Sequence, residues 1–333
     1  MEALDYILSK TEIRDISIIN TLKLLETDCT IPFISRYRKE MTGNLDEVKV
    51  EEIARSKKEF DALEKRKKTI LKSIEEQGAL DKELENKIKN TLSHTDLEDF
   101  YLPFKKSRKT KAEKARELGL EGLAKIIMSQ QTPHLDDCIR KFTKEVDSET
   151  AFEGARHILA EWVNERSDIR NYLRNQYQRH GIIRSKAIKS KLDAEKSQKF
   201  RDYFDWSESL HRCPSHRLMA LLRAEKEGVV RVKIEIDDDR AISHISSVII
   251  RSKSESAVQL YNAIQDAYKR LLSPVISNEV LANYKKKADE KAIAVFAKNL
   301  EQLLLQAPLG EKNILALDPG FRTGCKLVCL DKN

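Results

Sequence analysis

Apolar residues recur at helical spacing along most of this chain, most clearly from about residue 44 to residue 77. The apolar positions in that segment are Ile53, Phe60, Leu63, Ile70 and Ile74. This spacing places them on one side of a helix, and Gly78 stands where helices commonly end. The pattern predicts one long amphipathic helix that packs through a narrow stripe.

Shorter segments carry the same pattern and predict a series of further helices. A helix over residues 81–92 follows after a very short turn, so it should form a helical hairpin with the long helix. Other helices are predicted near residues 111–129, 136–142, 150–175, 194–203, 215–226, 254–273 and 277–306. No repeat of fixed period is visible. We therefore expect one continuous multi-helical body over about residues 1–310.

One segment before the C-terminus departs from the helical pattern. In residues 229–236, β-branched residues alternate with Arg231, Lys233 and Glu235, which is typical of a strand with one exposed face. The three aspartates at 237–239 could form a turn, and residues 241–250 are only weakly patterned. A short β ribbon near residues 229–250 is the resulting prediction.

The last residues, 313–333, predict a second strand pair. Two short apolar segments, 314–317 and 326–330, are separated by a Pro-Gly turn and by Gly324. A two-stranded ribbon is marginal in water by itself. We expect this hairpin either to open a larger domain that is cut off or to cap the preceding helices.

Composition supports a mainly α protein with solvated helix faces. Charged residues make up 35% of the 333 residues and aromatic residues only 6%. The 61 Lys and Arg exceed the 54 Asp and Glu, for a net charge of +7, so an anionic partner is indicated only where the cations cluster. Five cysteines without a Cys-x-x-Cys pair and the lack of a long apolar run favour a soluble, cytoplasmic protein without membrane contact.

A first basic cluster follows Pro103-Phe104 and begins in a loop. Its cations are Lys105, Lys106, Arg108, Lys109, Lys111, Lys114 and Arg116, with Glu113 as the one acid. Several cations beside a loop and a helix start can contact several phosphates at once without reading sequence. The alternative is a solvated helix face that neighbouring glutamates neutralise in space.

A second basic cluster covers residues 169–192, which contain no acid. Its cations are Arg170, Arg174, Arg179, Arg184, Lys186, Lys189 and Lys191, interleaved with Tyr172, Tyr177 and His180. Cations beside stacking rings suit single-stranded nucleic acid. The solvated-face alternative applies here as well, and it is favoured for the short run Lys65-Arg66-Lys67-Lys68, where glutamates are close in sequence.

Little in the sequence suggests catalysis, a metal or a cofactor. His211, Cys213 and His216 are close together, but a second ligand pair is missing, and Pro214-Ser215 makes an ordinary helix start. No nucleotide-binding glycine motif occurs. Asp318 ends a predicted strand, where two-metal nucleases place a carboxylate, yet one carboxylate is insufficient and a simple turn role is an open alternative. We therefore predict no cofactor, no bound metal and no enzyme activity.

Six segments in this order resemble the Tex family of bacterial transcriptional accessory proteins, which is related to the core of a eukaryotic elongation factor. The segments are residues 30–46, 97–112, 152–161, 199–205, 214–217 and 317–326. The resemblance covers essentially the whole chain. It implies a helical N-terminal domain over 1–193 with a helix-turn-helix-like element, a central helical region over 194–310, and the start of a truncated YqgF domain of RNase H-like fold at 311–333.

The same resemblance implies a role in transcription. Tex-like proteins bind nucleic acid, and a C-terminal S1 domain is thought to supply much of that binding. We expect this chain to act as a scaffold that contacts RNA or DNA weakly and without sequence specificity, with RNA polymerase or other transcription proteins as possible partners. The alternatives are a fragment of a YqgF or resolvase-like metal-dependent nuclease, in which Asp318 is a first-strand carboxylate, and a protein-interaction module for the transcription machinery.

Overall fold

The structure is a computed structural model, and it describes residues 3–105, 110–131, 134–142, 147–188, 195–320 and 324–332. Helices dominate it, and the strands form only small antiparallel sheets. The predicted fold class, mainly α with a short β ribbon, is confirmed.

The α-helices are numbered in chain order. They are α1 Ala3–Leu8, α2 Asp15–Glu26, α3 Ile31–Tyr37, α4 Glu47–Glu75, α5 Lys82–Asn90, α6 His94–Tyr101, α7 Lys111–Glu117, α8 Glu121–Ser129, α9 Asp136–Ile139, α10 Ser148–Asn164, α11 Ser167–His180, α12 Ser215–Lys226, α13 Asp238–Ile249, α14 Glu255–Asp266 and α15 Ser273–Leu304. The described residues also include the 3-10 helices Leu102–Phe104, Glu195–Tyr203 and Leu210–Arg212 and a π-helical turn, Ala267–Leu272.

The described strands form two separate sheets. The strands are β1 Ile182–Ala187, β2 Asp205–Ser209, β3 Val230–Glu235, β4 Ile314–Pro319 and β5 Cys325–Leu330. The first sheet has the order β2-β1-β3, and β4 pairs with β5 in the second. All the pairs are antiparallel.

The long predicted helix is present as α4. Its first turn is capped by Asp46, whose side chain accepts a hydrogen bond from the Lys49 amide at 2.9 Å. After its end, Gly78 adopts the left-handed conformation, with φ at +66°, that favours glycine. The helix hairpin with α5 is also confirmed, because the two helices pack together.

The apolar stripe of α4 contributes to two successive clusters of buried side chains. Val50 and Ile53, near its start, pack with α1, α2 and α3 around Ile18 and Ile34. The later positions pack with side chains of α1, α5 and α6; they are Phe60, Leu63, Ile70 and Ile74. One stripe thus organises the N-terminal helices, because residues three and four apart face the same neighbours.

The chain divides into two compact units. The helical unit combines Met1–Gln176 with Asp237–Ile276, and the sheet unit combines Tyr177–Ile236 with Ser277–Asn333. The predicted domain boundaries at 193 and 310, like the helix-turn-helix-like element, stay predictions.

The ribbon prediction was right for β3 and wrong for its partner. Residues 241–250 are not a strand, because α13 begins immediately after β3 and its first turn is capped by Asp237, which accepts a hydrogen bond from the Arg240 amide at 2.9 Å. The strand that pairs with β3 is β1, from the second basic cluster. The cap and the helical spacing of the buried Ile242, Ile245 and Ile249 together favour helix over strand.

The C-terminal hairpin is confirmed as β4 and β5, with Gly320 and Gly324 joined by a backbone hydrogen bond at the turn. Its side chains are exposed apart from partly buried Ile314. The RNase H-like identity of this hairpin stays a prediction. Among the helices that the structure describes, none combines the length and the apolar character needed to cross a membrane.

Candidate nucleic-acid interface

The outer face of the three-stranded sheet is strongly basic. Side chains alternate between the two faces of a strand, so Arg184 and Lys186 of β1 share the exposed face with Arg231 and Lys233 of β3. In the register of the sheet, Arg184 lies opposite Lys233 and Lys186 lies opposite Arg231. We call these four residues the basic sheet face.

The inner face of the sheet fixes which residues point outward. Its buried apolar side chains are Ile183 of β1 and Val230, Val232 and Ile234 of β3, and Ser185 of β1 is buried beside them. Helix α12 packs against β3. A slip of one residue would expose these apolar side chains and bury the cations, so the register is strongly specified.

Acidic neighbours compensate the basic sheet face only in part. Arg184 Nε donates a hydrogen bond to Glu235 at 3.0 Å, and Asp205 of β2 lies opposite Lys186. Facing residues have Cβ atoms about 4.5–5.5 Å apart, and like charges directly opposite each other destabilise a sheet. The two facing pairs of like charge therefore lower the stability of the sheet. An anionic ligand bound over them would remove this repulsion.

A concavity of about 420 Å³ lies on this face. It is lined by Arg184, Lys186, Ala187, Ile188, Arg231, Lys233 and Glu235. Strands lie about 4.8 Å apart and alternate residues about 6.6 Å apart along a strand, so the cations form a compact grid. Such a grid can contact neighbouring phosphates of one strand at the same time.

Two residues of the second basic cluster lie elsewhere, inside the helical unit. Arg170 and Arg174, one helical turn apart on α11, are 6% and 7% exposed. Both bind Asp99 of α6, with nitrogen–oxygen distances of 2.7 Å from Arg170 and of 2.6 and 2.9 Å from Arg174. The structure thus gives both guanidinium groups a buried, structural role, and their contact with nucleic acid stays a prediction that this arrangement does not support.

Arg179 of the same cluster is exposed on α11, and Arg184 and Lys186 belong to the basic sheet face. Tyr177 is buried, whereas Tyr172 stacks on His244 with a centroid distance of 3.6 Å. Lys189 and Lys191 lie outside the described residues. Tyr172 and Tyr177 therefore serve packing within the fold, whereas His180 is exposed at the end of α11.

The first basic cluster is described only in part. Lys105, Lys111 and Lys114 are exposed, and Lys106, Arg108 and Lys109 lie outside the described residues. Arg116 binds Glu161 of α10 at 2.6 Å. A phosphate contact stays a prediction, both for the exposed lysines and for the three residues outside the described part of the chain.

The run at residues 65–68 pairs with glutamates, as the sequence favoured, but it is not a solvated face throughout. Arg66 Nε donates to Glu98 at 2.6 Å, and this hydrogen bond lowers the pKa of the Glu98 carboxyl. Lys67 is buried and donates to Glu64 at 2.7 Å. Intramolecular acids therefore neutralise at least two of these cations.

Residues with catalytic or metal-binding chemistry are scattered in the described part of the chain, which holds no group of three His, Cys, Asp or Glu suited to a metal ion. Pro214 precedes α12 as its N-cap residue, as the helix-start interpretation predicts. Burial raises the pKa of the Cys213 thiol to about 11, so little thiolate forms at neutral pH. Asp318 is exposed in β4 opposite Lys326.

Sequence reasoning missed Arg231 and Lys233 as candidate ligands. The alternation in residues 229–236 identified them as exposed positions of a strand, but the strand pairing that brings them beside Arg184 and Lys186 spans about fifty residues. An acid-free segment with alternating cations at 182–187 was the signal that could have suggested this pairing.

Comparisons with known proteins connect these features to one family. The family described as Tex-like protein N-terminal domain matches residues 1–75, and the family described as Tex central region-like matches residues 132–296. A relative named transcriptional accessory protein Tex, from Neisseria gonorrhoeae, is 36% identical over 318 residues, which cover 93% of this chain and 42% of that protein.

Two further relatives extend the comparison. The uncharacterized protein YdcI of Bacillus subtilis is 38% identical over 319 residues, which are 94% of this chain and 44% of that protein. The human S1 RNA-binding domain-containing protein 1 is 31% identical over 325 residues, which are 93% of this chain and 33% of that protein. The chain thus spans less than half the length of these curated relatives.

Proposed function

Because this chain belongs to the Tex family, we propose that it is the nucleic-acid-contacting scaffold of a transcription accessory protein and that the basic sheet face contacts the phosphate backbone. Lys and Arg that face phosphates release counterions, so binding of this kind depends on salt and does not read base sequence. The transcription role is proposed for the whole protein.

The observation that carries the proposal is the like-charge pairing of Arg184 with Lys233 and of Lys186 with Arg231. Each pair weakens the sheet by itself, and phosphates placed over it would convert repulsion into attraction. The names of two relatives, a transcriptional accessory protein and an S1 RNA-binding domain-containing protein, support the same direction.

The proposal is one of binding, without a catalytic role. The name of the Neisseria relative describes an accessory protein and supports this reading. A cytoplasmic location belongs to the proposal as well; the five cysteines, all free, are compatible with a reducing compartment. RNA polymerase is a proposed partner of the whole protein, and co-purification that survives nuclease treatment would separate direct contact from tethering through nucleic acid.

A salt titration tests the proposal. The full chain is mixed with a labelled oligonucleotide of about 16 nucleotides, and the affinity is measured by fluorescence anisotropy from about 50 to 200 mM salt. We expect binding that is insensitive to base order and a log–log salt slope to which the basic sheet face contributes about −3, since its four phosphate contacts contribute about −0.7 each on a single strand.

The double substitution Arg231→Gln with Lys233→Gln should reduce the magnitude of that slope by about 1.4. The matched control is Lys226→Gln with Lys298→Gln, which removes two exposed lysines of the same unit from α12 and α15. An equal reduction of the salt slope in the two double variants would show that the total charge of the chain, and not this face, determines binding. Undetectable binding at low salt would refute the proposal.

A further inference from the structure

A second candidate binding surface lies on α3 and the loop that follows it, in the helical unit. Helix α3 is anchored by Ile34, which is fully buried in the cluster around α4. Phe33 and Tyr37 lie one turn apart on the outside of the helix and are 38% and 69% exposed. Their ring centroids are 5.4 Å apart at an interplanar angle of 41°.

Cations surround these two rings. Arg36, Arg38 and Lys39 are exposed, and none of them forms an ion pair with any residue that the structure describes. The Arg38 guanidinium lies 5.6 Å from the centroid of the Phe33 ring, within the range of a cation–π contact. Aromatic faces and available positive charge therefore coincide within seven residues.

The loop that carries the charges is held in place by hydrogen bonds. The Asn20 side chain donates to the Met41 carbonyl at 2.8 Å, and the Asn44 amide donates to the Lys39 carbonyl at 2.8 Å. Gly43 and Asn44 both adopt left-handed backbone, with φ of +71° and +62°. A loop fixed in this way presents its side chains without a large ordering cost on binding.

We propose that Phe33, Tyr37 and the three cations form a stacking platform for unpaired nucleotides, a site that rests on the proposed nucleic-acid function. Exposed rings lose the free energy that burial in a core would supply, and stacking with bases recovers it for any base sequence. Arg36, Arg38 and Lys39 would contact the phosphates on either side. A duplex would not use the rings, because its bases are already stacked.

The experiment compares three labelled probes of equal length on the full chain: a single strand, a single strand that lacks its bases, and a duplex. Phe33→Leu with Tyr37→Leu removes the rings and keeps apolar side chains. We expect at least a fivefold loss of affinity for the single strand, because stacking on one ring contributes on that order, and less than a twofold change for the other probes. Tyr37→Phe keeps a ring and should retain wild-type affinity.

Each outcome separates this site from the basic sheet face. Neutralising Arg231 and Lys233 should lower the affinity for all three probes. If it left these affinities unchanged while removal of the two rings still weakened single-strand binding, the sheet proposal alone would be contradicted. Unchanged single-strand affinity without the two rings would overturn the stacking platform alone. An equal loss for the base-free strand, or a competing acidic polyglutamate that binds as tightly as the single strand, would also overturn it.

Discussion

Asp99 binds two guanidinium groups in the interior of the helical unit and compensates half of their combined charge. Its carboxylate oxygens accept hydrogen bonds from Arg170 and Arg174, and all three residues are buried. A buried ion pair contributes little net stability when complete, because desolvation offsets the attraction. The loss of one partner is different, since it leaves charge in the interior without compensation.

Substitution of Asp99 by Asn should therefore destabilise the protein strongly. We expect the free energy of unfolding to fall by about 3–5 kcal/mol, measured by urea denaturation. As a control, Asp61→Asn removes a partner of Lys57 from a largely exposed pair and should cost less than about 1 kcal/mol. Equal losses of unfolding free energy for the two substitutions would contradict a stabilising role for the buried contacts of Asp99 with Arg170 and Arg174.

Glu165 gives the helical unit a pH-dependent stability. Burial, with a smaller contribution from Glu161, raises the pKa of Glu165 from its ordinary value of 4.5 to about 7, against the opposing effect of Arg116. The folded state retains a proton that the unfolded state releases, so this group's contribution is present below pH 4.5 and is lost as pH rises to about 7.

The variant Glu165→Gln should lose this dependence. Between about pH 4.5 and pH 7, the wild type should lose stability and the variant should not. The free energy of unfolding of the variant should then exceed that of the wild type by on the order of 1–2 kcal/mol, after allowance for solvent screening. Melting temperatures of both proteins across that range measure it, with exposed Glu117→Gln as the control. A difference that does not change with pH would contradict the assignment.

The basic character of residues 169–192 could be predicted, but the fate of each cation could not. The acid that binds both Arg170 and Arg174 is Asp99, 71 and 75 residues earlier in the sequence. A count of local charges treats all members of the segment alike, whereas helix packing buries the first two and strand pairing exposes Arg184 and Lys186. Tertiary contacts decided between the two interpretations.

At the scale of elements, the junction between α11 and β1 is closely packed around one glycine. Gly181 lies between them, its amide donates to the Tyr177 carbonyl, and its carbonyl accepts from the Leu210 amide. A Cβ atom at this position would lie 2.2 Å from the Tyr177 carbonyl oxygen and 3.0 Å from the Ile234 side chain. The helix and the sheet approach each other too closely for any larger residue.

We expect Gly181→Ala to reduce the free energy of unfolding by about 1–3 kcal/mol or more, because the backbone itself must shift. Thermal unfolding monitored by circular dichroism gives the measurement. Gly228→Ala is the comparison, since a Cβ atom there would meet no atom within 4 Å and only the left-handed backbone, with φ at +72°, opposes it. A larger loss at Gly228 than at Gly181 would refute the argument.

Element prediction succeeded where the signal was local and failed where it was not. Helix α4 carries its stripe and its capping residue within one segment, and both were predictable. Strand β1 lies inside a polar segment and forms through pairing with β2 and β3, so its own sequence gave little indication of it. Residues 241–250 show the converse case, since the Asp237 cap favours helix despite several isoleucines.

At the scale of the whole molecule, the proposed interaction surfaces are distributed over both compact units. The basic sheet face belongs to the sheet unit, and the platform around Phe33 and Tyr37 belongs to the helical unit. Family membership was predictable from motifs spread over the chain, while the location of the binding surfaces required the strand register and the burial of individual side chains.

The central claim is that the facing cations of the basic sheet face lower the stability of the sheet and bind an anionic ligand. The substitution Arg231→Glu tests this claim most directly. This change turns the repulsion with Lys186 into an attraction. We predict that unfolding free energy stays equal or rises by about 0.2–1 kcal/mol while affinity for a single-stranded oligonucleotide falls severalfold, with Lys226→Glu as the control. A loss of stability together with affinity, or an unchanged affinity, would contradict the account.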